Sequence, residues 1–203
     1  MSAALGRRSR ISAAVVRGIN RTSRALGRGS GTVIGGRAGL LLDPGLLGEL
    51  AGGRRTALVS GTNGKTTTTR LLAAAVEGRL GPVATNTTGA NMPAGHVAAL
   101  AEHPAAAAAV LEVDEGYLAQ LLTAARPAVA VLLNLSRDQL DRVAEVRLVA
   151  ARWREALGEL PAGAAGAGGP ASPVVVANAD DPLVAWAAAA APSLRWVGAG
   201  LVW

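Results

Sequence analysis

Short apolar runs recur along the chain, near residues 56–60, 83–85, 107–113, 128–133, 174–177 and 194–197, each rich in Val, Leu or Ala. Turn-forming Gly, Pro, Asn or Asp lie near most of their ends, which predicts strands. The stretches between them read as helices; Thr66 to Val76 is predicted as one, with Leu71, Leu72 and Val76 inward. This alternation predicts an α/β fold, a mostly parallel sheet with helices on both faces.

Ahead of the first strand, residues 10–27 place Ile11, Ala14, Val15, Ile19 and Leu26 near one side of a helix and Arg10, Arg17, Arg21 and Arg24 on others, with Arg28 just beyond. This basic amphipathic helix fits a surface resting on anionic lipid. It equally fits a helix over the sheet edge with its charges solvated, and an Arg-rich, acid-poor start also resembles a transit peptide. Gly27 to Gly36 reads as a glycine-rich connection, followed by the apolar runs 40–42 and 46–50. The predicted organisation is a basic N-terminal segment, 1–50, and an α/β domain, 51–203. Ala162 to Pro173 reads as a surface connection without chemistry.

Composition narrows the core and the setting. Tyr117, Trp153, Trp186, Trp196 and Trp203 are the aromatic residues and there is no Phe, so the core must be built from Ala, Val and Leu. No apolar run approaches the roughly 20 residues of a membrane-spanning helix, which predicts a soluble chain. The lack of Cys excludes disulfides and thiolate metal sites within these residues and fits a cytoplasmic protein. The net charge of +6 is concentrated at the start, where residues 1–55 hold ten arginines against Asp43 and Glu49. The basicity therefore does not amount to a nucleic-acid footprint across the fold, and no nucleic-acid partner is predicted.

Lys65 is the only lysine in the chain; the other 19 basic residues are arginines. It lies in Gly61-Thr62-Asn63-Gly64-Lys65-Thr66-Thr67, directly after the first strand and at the start of a helix. A phosphate cradle needs a compact ammonium that acts as a point charge, where a planar guanidinium is too wide. Gly61 and Gly64 let the backbone turn N–H groups toward phosphate oxygens, and the helix N-terminus adds partial positive charge. Thr66 is placed to offer its hydroxyl to a magnesium ion. Val59 stands where the generic pattern has another glycine. With its one lysine committed to the loop, the chain cannot carry the N-K-x-D motif that reads guanine, so adenine, and hence ATP with Mg2+, is predicted.

GTNGKTTTT resembles the ATP-binding loop of the Mur ligase superfamily. The later segments Thr85 to Gly95, Leu111 to Glu115 and Asn134 to Arg142 extend the resemblance in order, and together they are similar to the MurT subfamily. The resemblance implies that Lys65 and Glu112 are catalytic, that Thr66 and Glu112 hold magnesium, and that Gly61, Thr62, Asn63, Gly64, Thr67, Asn91 and Asn178 lie around the nucleotide. Glu112 ends a buried strand on the ligand-binding edge. Asp114 and Glu115 follow it, at least one of them as a helix cap or solvated charge. Asn86 reads equally as a turn former or a site residue. Asn134, Asp138, Gln139 and Asp141 follow the 128–133 strand, with Asp138 able to cap the next helix. Most Mur ligases have a metal-binding histidine at the position of Gln139. Many relatives also carry a carbamoylated lysine downstream, where this chain offers Arg147, Arg152 and Arg154. Asp181 before Pro182 can simply start a helix.

For this subfamily the implied reaction is ATP-dependent amidation of the D-glutamate α-carboxylate of lipid II. It passes through an acyl phosphate that takes ammonia from a GatD-like glutamine amidotransferase. The implied setting is the cytoplasm, at the inner face of the plasma membrane, in peptidoglycan synthesis. The family also implies a four-cysteine zinc ribbon and a C-terminal domain after the position of Trp203. The chain is therefore expected to be a fragment that binds ATP weakly or not at all and is inactive alone. Two other readings stay open: another Mur-type ligase that adds an amino acid, and a non-catalytic ATP-binding or interaction protein.

Overall fold

The computed structural model describes residues 5–27, 32–86, 89–136, 143–162 and 173–200. Three helices, α1 (Arg7–Ala25), α2 (Thr32–Leu42) and α3 (Leu46–Ala51), precede the first strand, β1 (Arg55–Ser60). There follow α4 (Lys65–Leu80), β2 (Val83–Thr85), α5 (Pro93–Glu102) and β3 (Ala108–Val113). A single 3-10 turn (Glu115–Tyr117) then leads to α6 (Leu118–Ala125), β4 (Val129–Leu132), α7 (Val143–Gly158), β5 (Val174–Asn178), α8 (Pro182–Ala188) and β6 (Leu194–Val197). The strands fall within a residue or two of their predicted places.

All strand pairs are parallel, in the order β2-β3-β1-β4-β5-β6. The chain leaves β1 toward one edge and later returns past it to build the other. The C-terminal end of β1 is thus a switch point, where an open parallel sheet forms its ligand crevice. Alternation along the strands separates two faces. Leu58, Ala109, Leu111, Ala130, Leu132, Val175 and Ala177 join the larger core, shared with α1, α3, α5, α6, α7 and α8. Val59, Ala108 and Val110 face the other way, onto Ala73, Leu72 and Val76 of α4. Helices do cover both faces, but among the described residues α4 is alone on its side. Leu71, predicted inward, is exposed, and Thr69 and Ala73 take the buried positions on that helix.

The N-terminal helices differ from their sequence reading in two respects. Glycines 35 and 36 belong to α2 and not to a loop. A Cβ on Gly36 would lie 1.8 Å from the Ala94 carbonyl oxygen, so its hydrogen lets α2 lie directly against α5. The inward face of α1 is Ser9, Ser12, Ala13, Val16 and Asn20, while Ile11 and Leu26 are exposed. The helix packs on α2, α3 and α5 and does not cover a sheet edge. Periodicity placed its aliphatic residues inward because the polar partners of the true inner face are distant in sequence. Asp43 accepts from the Ser9 hydroxyl, and Glu102 accepts from Asn20 Nδ2 at 2.8 Å. No helix among the described residues is long and apolar enough to cross a membrane.

Candidate functional site

The loop from Gly61 to Gly64 leaves β1 with positive φ at both glycines, 147° and 83°, a region that side chains disfavour. Gly64 leads into α4 without a side-chain cap. The first-turn N–H groups of Lys65, Thr66 and Thr67 have no acceptor within the helix and form a concave donor surface at its positive end. Thr67 is exposed at this terminus.

Thr62 and Asn63 are placed otherwise. Thr62 donates its N–H to the Asn134 carbonyl at 2.8 Å, and Asn63 donates its own to Asn134 Oδ1 at 2.9 Å. Asn134 Nδ2 returns a bond to the Asn63 carbonyl at 3.0 Å. Asn63 Nδ2 also donates to Ser136 Oγ at 3.0 Å. The loop is therefore pinned to the segment after β4, and the donors left for an anion are those of the α4 terminus. Asp138, Gln139 and Asp141 lie outside the described residues, as do Thr87, Thr88, Arg137 and most of the 162–173 connection.

Lys65 Nζ folds back onto its own loop, donating to the carbonyls of Gly61 at 2.5 Å and Thr62 at 2.9 Å. It also pairs with Glu115 Oε2 at 3.4 Å. One residue on, Thr66 Oγ1 donates to Glu112 Oε2 at 2.8 Å, although the two residues are 46 apart in sequence. These two oxygens are a hard, oxygen-only donor pair, and no cluster of three or more His, Cys, Asp or Glu that could hold a metal exists among the described residues. That fits Mg2+, which takes one or two protein oxygens and completes its octahedron with water and phosphate. Thr66 and Glu112 are the residues that would hold it.

Glu112 is 4% exposed, and its peptide is fixed from three sides. Asn86 accepts its N–H at 2.8 Å and donates Nδ2 to its carbonyl at 2.8 Å. His96 Nε2 lies 2.8 Å from the same carbonyl. A carbonyl only accepts, so His96 carries its proton on Nε2. Burial lowers the His96 pKa from 6.5 to about 4, against the raising effect of that bond. Asn91 acts through its carbonyl, which accepts the Asp114 N–H at 3.0 Å. Asp114 caps the 3-10 turn through Gly116 N. That leaves Glu115 as the carboxylate aimed at Lys65, with its own carbonyl held by Trp153 Nε1 at 2.8 Å.

Asn178 braces the far side. Its Nδ2 donates to the Leu133 carbonyl at 2.8 Å, and its Oδ1 accepts from Asp180 N. It lines an open groove of about 420 Å³ with Asn63, Gly64, Thr68, Val131 and Val176, on the α4 side of the sheet. Asp181 caps α8 through Leu183 N and Val184 N, and also accepts Leu135 N at 2.9 Å. The structure thus gathers Gly64, Lys65, Thr66, Thr67 and Glu112 at one point, while Asn91 and Asn178 support from the margins. His96 was missed, and Glu115 was read with Asp114 only as a helix cap or solvated charge. A histidine alone in the apolar run of 93–101 was the available signal for one, and the three-residue step from Glu112 for the other.

The Mur ligase middle domain profile matches residues 59–199. The chain is 33% identical over 162 residues to the lipid II isoglutaminyl synthase subunit MurT of Streptococcus pneumoniae, covering 78% of this chain and 34% of that protein. It is 30% identical over 181 residues to the Staphylococcus aureus (strain COL) subunit of the same name, covering 88% of this chain and 39% of the relative. It therefore spans little more than a third of the length of these relatives. In fold it is similar to the UDP-N-acetylmuramoylalanyl-D-glutamyl-2,6-diaminopimelate–D-alanyl-D-alanyl ligase of Acinetobacter baumannii. That likeness has a TM-score of 0.57 at 19% identity and covers 80% of this chain and 34% of that one. With its parallel sheet, its glycine loop at the switch point and the profile match over most of its length, this chain is a member of the Mur ligase family.

Proposed function

We propose that the chain is the ATP-binding domain of a lipid II amidating ligase of MurT type, acting at the inner face of the membrane with a GatD-like glutamine amidotransferase. One observation carries the reading: Thr66 Oγ1 and Glu112 Oε2 meet at 2.8 Å beside Lys65, at the open end of α4. Lys65 and the first-turn amides of α4 hold the triphosphate of ATP, and the groove beside Asn178 takes the adenine. Thr66 and Glu112 would hold magnesium, which when bound would supply charge neutralisation to the phosphates.

The D-glutamate α-carboxylate attacks the γ-phosphorus and ADP leaves. Ammonia then attacks the acyl carbon, loses a proton and expels phosphate, leaving the amide. Positioning and charge neutralisation do most of this work, and the share that concerns the triphosphate falls to residues of this domain. Asn86 and His96 fix the Glu112 peptide, so the carboxylate does not have to be ordered at each turnover.

A chimera tests the proposal. Residues 1–203 replace the corresponding region of the Streptococcus pneumoniae relative, and the product is incubated with lipid II, ATP, Mg2+, glutamine and the amidotransferase. Amidated lipid II is expected by mass spectrometry and should be lost with Lys65→Ala. Transfer of an amino acid in place of ammonia, or magnesium-dependent ATP binding without any turnover, would overturn it.

A further inference from the structure

The exposed face of α1 and α2 is built the wrong way round for a helix pair that ends at water. The inner face of α1 is largely small and polar, whereas aliphatic side chains point out: Ile11 is 58% exposed, Leu26 62%, Ile34 64% and Leu41 84%. Of the twelve exposed large apolar side chains among the described residues, five (these four and Leu42) lie between residues 5 and 42. They form one surface, because the helices run antiparallel. Arg8 Nε reaches the Leu42 carbonyl at one end, and Leu26 shares a groove with Val15, Ile19 and Ile34 at the other.

The charges flanking that surface have one sign. Residues 5–42 contain no acid. The nearest carboxylates are engaged elsewhere: Asp43 with Ser9 and Gly45, Glu49 with the Gly6 N–H, and Glu102 with Asn20 and Arg24. Arg7, Arg10, Arg21 and Arg37 are exposed, and their guanidinium groups make no hydrogen bond or ion pair among the described residues. A plane of phosphates over hydrocarbon answers both the charge and the aliphatic stripe.

We infer that the α1–α2 surface is a peripheral docking face for an anionic phospholipid bilayer. Its aliphatic stripe enters the headgroup boundary, and Arg7, Arg10, Arg21 and Arg37 lie on the phosphates. This gives the lipid-linked substrate reading a location, and to that extent rests on it.

The test uses the 203-residue chain and vesicles without lipid II or nucleotide, so its outcome is separate from that of the ligase assay. Flotation with phosphatidylglycerol vesicles should recover the chain at least tenfold better than with phosphatidylcholine, and high salt should weaken recovery. R7Q/R10Q/R21Q should lower it tenfold or more. I11S/I34S should lower it severalfold with circular dichroism unchanged, since both positions are exposed. Equal recovery on the two vesicle types, recovery indifferent to the variants, or no binding would overturn the inference. So would dimerisation abolished by I11S/I34S, which would make a second copy the occupant.

Discussion

The ammonium of Lys65 rests on two carbonyls of its own loop and on Glu115, and under the proposed function it would exchange these partners for phosphate oxygens when ATP enters. Glu115 competes with the phosphates twice, as a rival partner and as a negative charge beside an anion. The pair is partly exposed, which limits its worth to about 0.2–1 kcal/mol. Glu115→Gln should therefore tighten ATP binding roughly twofold to fivefold, as read by isothermal titration. Weaker binding would mean that Glu115 supports the bound state. The sequence marked Lys65 and Thr66 through the glycine loop and Glu112 through the resemblance and its place at a strand end, and the structure brings Thr66 and Glu112 into contact. The sequence left Glu115 ambiguous because only the 3-10 turn after Asp114 brings that carboxylate back over the loop.

Among the elements, the strands were readable because each is a short apolar run between turn residues. The N-terminal helices were not. The buried face of α1 is satisfied by Asp43 and by Glu102, 34 and 82 residues away from their partners, and no local period contains that information. Nor does a glycine pair announce a helix when its use is close approach to another backbone. Gly36→Ala sets a methyl group against the Ala94 carbonyl, which cannot rotate away, so α2 and α5 must separate. A loss of about 1–3 kcal/mol is expected in urea denaturation, as for other overpacked contacts. Gly18→Ala is the control, because a Cβ there meets nothing within 4 Å. At that exposed helical position alanine should be neutral or stabilising.

Across the whole molecule, acid stability is tied to the site. The unfolded chain takes up the His96 proton as pH falls through about 6.5, while the folded chain resists until about 4. This contribution to stability is complete above pH 6.5 and drains away between those values, by up to about 3 kcal/mol. Thermal unfolding from pH 7 to pH 4 should show that slope, and His96→Gln should flatten it. An unchanged slope in the variant would remove His96 as its source. Protonation at this position would also place a cation against the peptide that carries Glu112. Loss of the Thr66–Glu112 arrangement and loss of the fold are thus expected over the same pH range.

The hydrogen bond from Trp153 to the Glu115 carbonyl gives the molecule a built-in optical probe. Trp153 is 1% exposed, and its ring nitrogen is anchored to the residue that pairs with Lys65. If ATP takes Lys65 from that carboxylate as proposed, a shift in Trp153 emission is the expected outcome, read by intrinsic fluorescence without a label and without turnover; unchanged emission on saturation with ATP would mean that Glu115 does not move.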